Sequence, residues 1–184
     1  MKQVHGKTVG FTNESRGVPE CDALATKEPG LGVIVHAADC VPLLFWASRR
    51  NAVAAVHAGW RGTMLRVAAE TVTALGRELF CSPNELHVAI GPSIRACCFE
   101  VGDEVVEAFA ESGHELSRIR KAGPHGRDRL DLVEDNRIQL GEAGVPEEQV
   151  YDSERCTLCE NDKFYSYRAE GKGVGRLMGV IAVR

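Results

Sequence analysis

The segment NAVAAVHAGWRGT, residues 51–63, contains an uninterrupted apolar run that ends in a histidine and a turn bracketed by glycines. A continuous run of small and β-branched apolar residues is typical of a strand that is buried on both faces of a sheet. His57 stands near the end of this strand, and Arg61 follows it four residues later. The segment therefore predicts a covered sheet with polar side chains at one end of a central strand.

Further strands and helices are predicted on both sides of this segment. GLGVIVHAADC and VPLLFWA predict two strands joined by a turn, and ELHVAIGP predicts another strand. From Gly62 onward, apolar residues recur at three- and four-residue steps, which predicts an amphipathic helix with Thr63 as its N-cap. Later segments predict two helices, in VGDEVVEAFAES and DLVEDNRIQLGEAGV, and three strands, in QVYDS, KFYSYR and RLMGVIAVR. Interspersed helices and strands indicate an α/β or α+β fold.

The composition excludes several classes of protein. The chain has 184 residues, of which 44% are hydrophobic and 26% charged, and its formal net charge is −4. These values fit a globular protein, and the length fits one domain that spans residues 1–184. No segment has the roughly 20 apolar residues of a membrane span, the N-terminus lacks a signal-peptide core, and no long basic block is present. We therefore expect a cytoplasmic protein that binds neither a membrane nor nucleic acid.

Seven cysteines occur, at positions 21, 40, 81, 97, 98, 156 and 159. An odd number without a secretion signal argues against a disulfide framework and favours free thiols. CTLC at 156–159 is a single CxxC pair, which is a weak signal for a metal site without a partner pair. A second metal site built from Cys97, Cys98 and this pair stays open as an interpretation, although ordinary packing accounts for these cysteines more simply.

Three residues that can ligate a metal stand at the ends of apolar segments. His57 follows AVAAV, Cys40 closes VIVHAADC, and His5 stands in KQVHG. Two imidazoles and one thiolate suit zinc, and three protein ligands leave a fourth position open, as in catalytic sites. A histidine at a strand end and a buried cysteine also have ordinary structural roles. The positions alone therefore leave the metal site as one of several interpretations.

Five segments of the chain resemble, in this order, the motifs of the laccase-domain family, also called the multicopper polyphenol oxidase or YfiH family. They are KQVHG, DALATKEPGLGVIVHAADCVPLLF, VHAGWRGT, AIGPSIRACCFEVG and CTLCENDKFYSYRAEGKGVGRLMGVIAV. The resemblance extends from Lys2 nearly to the C-terminus. It implies a YfiH-like α/β fold in which mixed β-sheet layers are covered by helices, and a mononuclear zinc site formed by His5, Cys40 and His57.

The resemblance also implies an enzyme whose substrates are a purine nucleoside and phosphate. Family members phosphorolyse adenosine, inosine, guanosine and S-methyl-5′-thioadenosine, and they deaminate adenosine. A metal at such a site activates water or orients phosphate. Arg61, one turn from His57 at the start of the predicted helix, would anchor the phosphate.

Two carboxylates and a second arginine are further candidates. Asp39 would orient a histidine ligand, or act as an acid or base on the purine. Asp22, in CDALAT, is a weaker candidate for the same roles. Arg168, in SYR, can face the same pocket, although an exposed strand is the simpler expectation.

Three other functions stay open. Copper at the same residues would give polyphenol oxidase activity, although six histidines are too few for a multicopper assembly. Cys40 as a nucleophile activated by His57 would make the chain a hydrolase. The third alternative is a metal-binding partner module that is not an enzyme.

Family members usually carry a further N-terminal segment, whereas this chain begins almost at the QVHG motif. Terminal segments are poorly ordered unless other contacts tie them down. We therefore expect His5 to be held less firmly than in the longer relatives, with metal ligation supplying part of the tie.

Overall fold

The computed structural model describes residues 1–13 and 19–184. The strands are β1 (Val9–Phe11), β2 (Ala23–Thr26), β3 (Gly32–Ala37), β4 (Val41–Ala47), β5 (Ala52–Ala58), β6 (His87–Ile90), β7 (Glu100–Val101), β8 (Arg120–Ala122), β9 (Asp128–Leu130), β10 (Val150–Asp152) and β11 (Leu177–Ala182). The helices are α1 (Trp60–Met64), α2 (Val67–Leu79), α3 (Asp103–Glu111), α4 (Leu116–Ile119), α5 (Leu132–Glu142) and α6 (Tyr167–Glu170). The α/β prediction is confirmed. Within the described ranges, no helix is long and apolar enough to cross a membrane.

A mixed six-stranded sheet, in the order β1-β2-β5-β4-β6-β10, forms the centre of the fold. Strand β5 pairs antiparallel with β2 and β4, and the outer pairs β1–β2 and β6–β10 are parallel. Strand β5 is buried along its whole length. Its alternate residues enter two different cores, because successive side chains of a strand point to opposite faces. This arrangement explains the continuous apolar run in residues 51–58.

The two cores lie on opposite faces of the six-stranded sheet. The larger core includes Leu75 of α2, Phe109 of α3 and Leu140 of α5. The smaller core is closed by the antiparallel pair β3–β11, whose Val33 and Val35 are buried against the sheet. The layers are therefore helices, the six-stranded sheet and a two-stranded sheet, as the family resemblance implies. A short antiparallel sheet of β7, β9 and β8 is added beside them.

The helix that follows β5 begins earlier than its sequence pattern predicts. Gly59 is the N-cap of α1, which starts at Trp60, and Arg66 in a left-handed conformation (φ 65°) separates α1 from α2. Thr63 lies inside α1, where its buried hydroxyl accepts a hydrogen bond from Asn136 at 3.1 Å. The prediction that Thr63 caps the helix is therefore wrong.

The predicted strand in KFYSYR, residues 163–168, is also wrong. This segment forms turns that lead into α6, where the Ser166 hydroxyl accepts a hydrogen bond from the N–H of Ala169 and caps the helix. Hydroxyl residues compete with strand ladders in this way because they satisfy free amides at a helix start. The change matters because it places Arg168 in the first turn of a helix that packs against the site described below.

Candidate metal centre and its cavity

The structure brings His5, Cys40 and His57 together, and we call these three residues the mixed-ligand group. Their ligand atoms lie within 4.8 Å of one another. Cys40 immediately precedes β4, and His57 lies opposite Pro42 in the antiparallel pair β4–β5. Both residues therefore lie at the same end of these two central strands. The His5 ring meets the His57 ring edge to face, with centroids 4.7 Å apart.

Asp22 joins the mixed-ligand group to the N-terminal segment. Its Oδ1 lies 2.9 Å from Nδ1 of His57, and with Nδ1–H as the donor the Nε2 atom is left as the ligand. The same carboxylate accepts the backbone N–H groups of Val4 (3.2 Å), His5 (2.9 Å) and Gly6 (2.7 Å). Asp22 is fully buried. Its one carboxylate therefore holds two of the three ligands, His5 and His57, away from water.

Further contacts hold the N-terminal segment. The Gln3 side chain donates to the carbonyl of His36 at 2.8 Å and accepts its N–H at 2.9 Å. The N–H of Lys2 donates to the carbonyl of Pro19 at 2.8 Å. His5 itself has a left-handed backbone (φ 61°), which is uncommon outside glycine and persists only when the surroundings fix it. The segment is therefore tied by its own hydrogen bonds, in addition to any tie that metal ligation supplies.

Ionised forms are favoured within this group. Burial raises the pKa of Cys40, but hydrogen bonds from His5 and His57 outweigh that effect and bring the pKa to about 7. Burial lowers the pKa of His57, whereas its hydrogen bonds to Asp22 and Cys40 raise it, and the net pKa is about 9. For Asp22, burial acts to raise the pKa, and the hydrogen bonds from His57 and the backbone lower it below its ordinary value. The thiolate of Cys40 suits zinc as it stands, and His57 becomes a donor once zinc displaces its Nε2 proton.

Gly59 leaves the space that the three ligands occupy. A Cβ at this position would lie 3.1 Å from Sγ of Cys40, 3.1 Å from Cδ2 of His5 and 3.6 Å from Cε1 of His57. The first turn of α1 therefore packs directly against the group. This packing gives a physical reason for the first glycine of HAGWRG.

The mixed-ligand group lines a cavity of about 710 Å³, a volume within the usual range of small-molecule sites. The rest of the lining combines aromatic, polar and cationic side chains with apolar ones. These residues are Met1, Gln3, His36, Ala37, Ala38, Asp39, Trp60, Ile94, Phe99, Tyr167, Arg168 and Arg176. Aromatic faces can stack on a planar ring, and guanidinium groups can bind an anion.

Asp39 lines the cavity, but its carboxylate has different partners from those expected. One oxygen accepts the hydroxyl of Thr157 at 2.6 Å, and the other accepts the backbone N–H of Arg168 at 2.6 Å. Asp39 therefore holds α6 and the turn at Thr157 against the segment that precedes β4. The contact to a histidine ligand that was expected of Asp39 is made by Asp22.

The arginines are also arranged differently from the expectation. Arg61 is exposed and lies over the Trp60 ring at 4.3 Å, and it is not among the described residues that line the cavity. Arg168 and Arg176 do line it, and the Arg168 guanidinium lies 5.5 Å from the Phe99 ring. Sequence reasoning gave Arg168 too little weight, and it missed Arg176, for which no pattern in the sequence gives a signal.

A second group of potential ligands consists of Cys97, Cys98, Cys156 and Cys159, and we call it the four-cysteine group. Its four sulfur atoms also lie within 4.8 Å of one another. Within residues 1–13 and 19–184, the mixed-ligand and four-cysteine groups are the two clusters with metal-ligand geometry. All seven cysteines lie in this described part of the chain and are free thiols.

A three-ligand nitrogen and sulfur group in the wall of a cavity defines a candidate catalytic metal centre in an α/β protein. The whole chain, residues 1–184, matches the family model described as multi-copper polyphenol oxidoreductase laccase, and the chain belongs to this family. The resemblance seen in the sequence motifs is therefore confirmed.

Known proteins are similar to this chain over most of its length. It is 40% identical over 163 residues to a purine nucleoside phosphorylase of Bacteroides thetaiotaomicron, a match that covers 88% of this chain and 60% of that protein. It is 42% identical over 156 residues to adenosine deaminase RL5 from an unknown prokaryotic organism, covering 84% of this chain and 59% of that protein. The crystal structure of YlmD from Geobacillus stearothermophilus matches with a TM-score of 0.92 and 38% identity, over 100% of this chain and 72% of that one. The chain thus spans about 60% of the length of the phosphorylase and the deaminase.

Proposed function

We propose that this chain is a zinc-dependent purine nucleoside phosphorylase that also deaminates adenosine. The observation that carries the proposal is the mixed-ligand group in a cavity that also presents aromatic and guanidinium side chains. The names of the relatives, a purine nucleoside phosphorylase and an adenosine deaminase, support both reactions. The proposed nucleosides are adenosine, inosine, guanosine and S-methyl-5′-thioadenosine, with inorganic phosphate as the second substrate.

The donor set of the mixed-ligand group fits a zinc ion. His5, Cys40 and His57 would hold the ion, which would supply Lewis acidity at an open fourth position. Asp22 keeps the His57 ring oriented and increases its basicity. Because the pKa of Cys40 is about 7, a large share of this ligand is ionised at neutral pH before any metal binds.

Phosphorolysis joins a phosphate oxygen to C1′ of the ribose and breaks the bond from C1′ to the purine nitrogen. The departing purine keeps the bonding electron pair and takes up a proton. Arg168 and Arg176 line the cavity and would bind the phosphate, with Arg61 as the alternative anchor beside Trp60. Phe99 would stack on the purine ring and exclude water from it.

Deamination replaces the amino group at C6 of adenosine by the oxygen of water and releases ammonia. Asp39 is the carboxylate in the cavity that would exchange a proton with the purine. Each of its oxygens accepts one hydrogen bond from the protein and keeps a further lone pair. Asp39 would therefore accept a hydrogen bond from the purine while it holds α6 in place.

Product analysis with adenosine tests the proposal. We expect zinc-loaded protein to release adenine and ribose 1-phosphate only when phosphate is present. Inosine and ammonia should form even when phosphate is absent, because deamination consumes water instead. Cys40→Ala should abolish both reactions, whereas Cys81→Ala, which alters a buried thiol outside both metal-ligand groups, should retain them. Unchanged adenosine after prolonged incubation with zinc-loaded protein would contradict the proposal.

One observation favours a second candidate function, a cysteine hydrolase. The Cys40 thiol has a pKa of about 7 and accepts hydrogen bonds from His5 and His57, which is the environment of a reactive nucleophile. Alkylation by iodoacetamide separates the two functions. A zinc ligand should be protected by bound zinc, whereas a nucleophile should react equally with zinc and with chelator present.

Copper chemistry at several centres has less support than zinc at one. Outside the mixed-ligand group, His87 lies in a cluster of stacked rings with Trp46 and Tyr151, and His114 is bonded to Asp135. A multicopper assembly needs more imidazoles near one another than these positions offer. A polyphenol oxidase activity of this chain would therefore depend on a single copper ion bound by the mixed-ligand group.

A further inference from the structure

The four-cysteine group is assembled by two neighbouring strands. Cys97 and Cys98 follow β6, and Cys156 and Cys159 follow β10. Strands β6 and β10 are parallel neighbours, so the segments that leave their carboxyl ends run side by side. Two backbone hydrogen bonds join these segments, from the N–H of Ser93 to the carbonyl of Arg155 (3.3 Å) and from the N–H of Thr157 to the carbonyl of Ser93 (3.0 Å).

The sulfur positions fit a single tetrahedral ion. The Cys98 and Cys159 sulfurs lie 3.3 Å apart, and those of Cys97 and Cys159 lie 3.6 Å apart. Four sulfurs bound to one zinc at the usual distance of about 2.3 Å are separated by about 3.8 Å from each other. The observed distances are far from the roughly 2.0 Å of a disulfide bond. A cluster of several irons would hold its cysteine sulfurs farther apart than one ion does.

The segment that leads into Cys97 is anchored to β10 by an ion pair. Arg95 makes two hydrogen bonds of 2.8 Å to Asp152. Four thiols this close cannot all ionise beside one another unless a cation balances their charge.

We propose that Cys97, Cys98, Cys156 and Cys159 bind a second zinc ion in a closed site with four thiolate ligands. Soft thiolates in a tetrahedral set select zinc over harder ions, and four protein ligands leave no position for a substrate. None of the four cysteines is among the described residues that line the cavity. The second ion therefore has a structural role, and the proposal does not depend on the proposed enzymatic function.

The site would fix one wall of the cavity. Phe99, which follows Cys98, lines the cavity. Thr157, which follows Cys156, donates the hydrogen bond to Asp39, and Asp39 holds Arg168 through its backbone N–H. An ion bound by both Cys98 and Cys156 would thus fix the distance between Phe99 and Thr157, and through Thr157 it would fix Asp39, which holds α6.

Zinc analysis of matched variants tests the proposal. Protein is purified without an affinity tag, reduced under anaerobic conditions, loaded with zinc and desalted. We expect Cys159→Ser and Cys40→Ala each to bind one zinc fewer than the unaltered chain, and the double variant to bind none. Cys81→Ala is the control and should bind as much zinc as the unaltered chain.

Cobalt substitution identifies the ligands of the second ion. Cys40→Ala loaded with Co²⁺ should show the strong sulfur-to-cobalt absorption of four thiolates, and Cys159→Ser should show the weaker spectrum of one thiolate. We expect the melting temperature of Cys40→Ala to fall when a strong chelator removes its remaining ion. Folded Cys40→Ala that stays without metal after zinc loading, iron in place of zinc in the protein as purified, or a disulfide among the four cysteines that resists reduction would each overturn the proposal.

Discussion

In both the mixed-ligand and the four-cysteine group, the ligand atoms lie within 4.8 Å of one another. The two groups differ in ligand type and in their surroundings. The mixed-ligand group combines imidazole with thiolate and is held by a buried carboxylate, Asp22. The four-cysteine group contains sulfur alone. Burial acts to raise the pKa of Cys156, whereas backbone N–H groups lower it, and the net pKa is about 7. The first group lines a cavity of about 710 Å³ and the second does not. Three ligands beside a cavity suit chemistry, whereas four ligands outside it suit a structural ion.

This difference shows that the surroundings of a ligand group are more informative than the ligand types. A carboxylate behind a histidine orients it and increases its basicity, which matters most where the ion must react. Backbone amides around a thiolate stabilise its charge without leaving an open position. Removing either kind of support should therefore lower the zinc affinity of one group and leave that of the other unchanged.

The largest effect is expected for Asp22→Asn. The change removes the charge that backs His57, so we expect zinc affinity at the mixed-ligand group to fall by about 10- to 100-fold, with the ion of the four-cysteine group retained. Asp135→Asn is the matched control, because Asp135 is also buried and also bonded to a histidine, His114, at 2.8 Å. It should lower the free energy of unfolding without lowering zinc affinity. Competition with a chromophoric chelator measures both variants, and equal zinc loss in the two would show that Asp22 acts only on stability.

The two groups should also differ in how zinc affinity depends on pH. Between the pKa of Cys40, about 7, and that of His57, about 9, zinc binding at the mixed-ligand group must displace one proton from His57. Affinity should then rise about tenfold per pH unit and level off above about pH 9. Burial and the hydrogen bonds with Cys156 and Cys159 raise the pKa of Cys97 to about 11, against the lowering effect of Cys98. Affinity at the four-cysteine group should therefore continue to rise beyond about pH 9. Chelator competition with Cys159→Ser and Cys40→Ala measures each group separately, and identical pH profiles would remove the distinction.

Substrate binding should depend on the cavity beside the mixed-ligand group. We expect Arg168→Ala to raise the phosphate concentration needed for half-maximal rate about tenfold, because it loses a charge-assisted contact of about 1.5 kcal/mol. The backbone N–H that Asp39 accepts is kept in this variant. Arg61→Ala should have a smaller effect, since Arg61 is outside the cavity lining within the described residues. Phosphate titrations of both variants decide between the two anchors, and a larger effect of Arg61→Ala would restore the assignment expected from sequence.

The smallest effect is expected for Gly59→Ala. Its added Cβ would meet Cys40 and His5 at 3.1 Å, and the low end of overpacking costs, about 1 kcal/mol, corresponds to roughly fivefold weaker zinc binding at the mixed-ligand group. Gly141→Ala, inside α5 with nothing within 4 Å of the added Cβ, should leave zinc binding unchanged and raise stability by up to about 1 kcal/mol. Zinc titration and thermal unfolding of the pair measure the two effects. Unchanged zinc affinity in Gly59→Ala would mean that α1 yields without disturbing the ligands.

The sequence predicts the central strands well because their patterns reflect burial directly. The apolar run of β5 and the paired runs of β3 and β4 indicate strands whatever their neighbours are. Local competition explains the failures. Gly59 starts α1 before the position that Thr63 suggests, and the Ser166 hydroxyl caps a helix where apolar and aromatic residues suggest a strand.

The site is predicted in part, because its ligands are marked by motifs and its supports are not. His5, Cys40 and His57 come from motifs, whereas the role of Asp22 depends on the register of β2 against β5, in which Ala23 pairs with Val56. That register brings Asp22 beside His57 and cannot be derived from either segment alone. The four-cysteine group likewise arises from the parallel pairing of β6 and β10, which joins segments that are far apart in the sequence.

Anomalous scattering at the zinc edge, from crystals of the zinc-loaded chain, tests the central claim most directly. The account predicts a strong peak bonded to His5, to Sγ of Cys40 and to Nε2 of His57, with the fourth position facing the cavity and filled by water, phosphate or nucleoside. It also predicts a second peak with four sulfur ligands in the four-cysteine group. A map with no peak at the mixed-ligand group in zinc-loaded crystals would contradict the metal centre and leave Cys40 as a nucleophile.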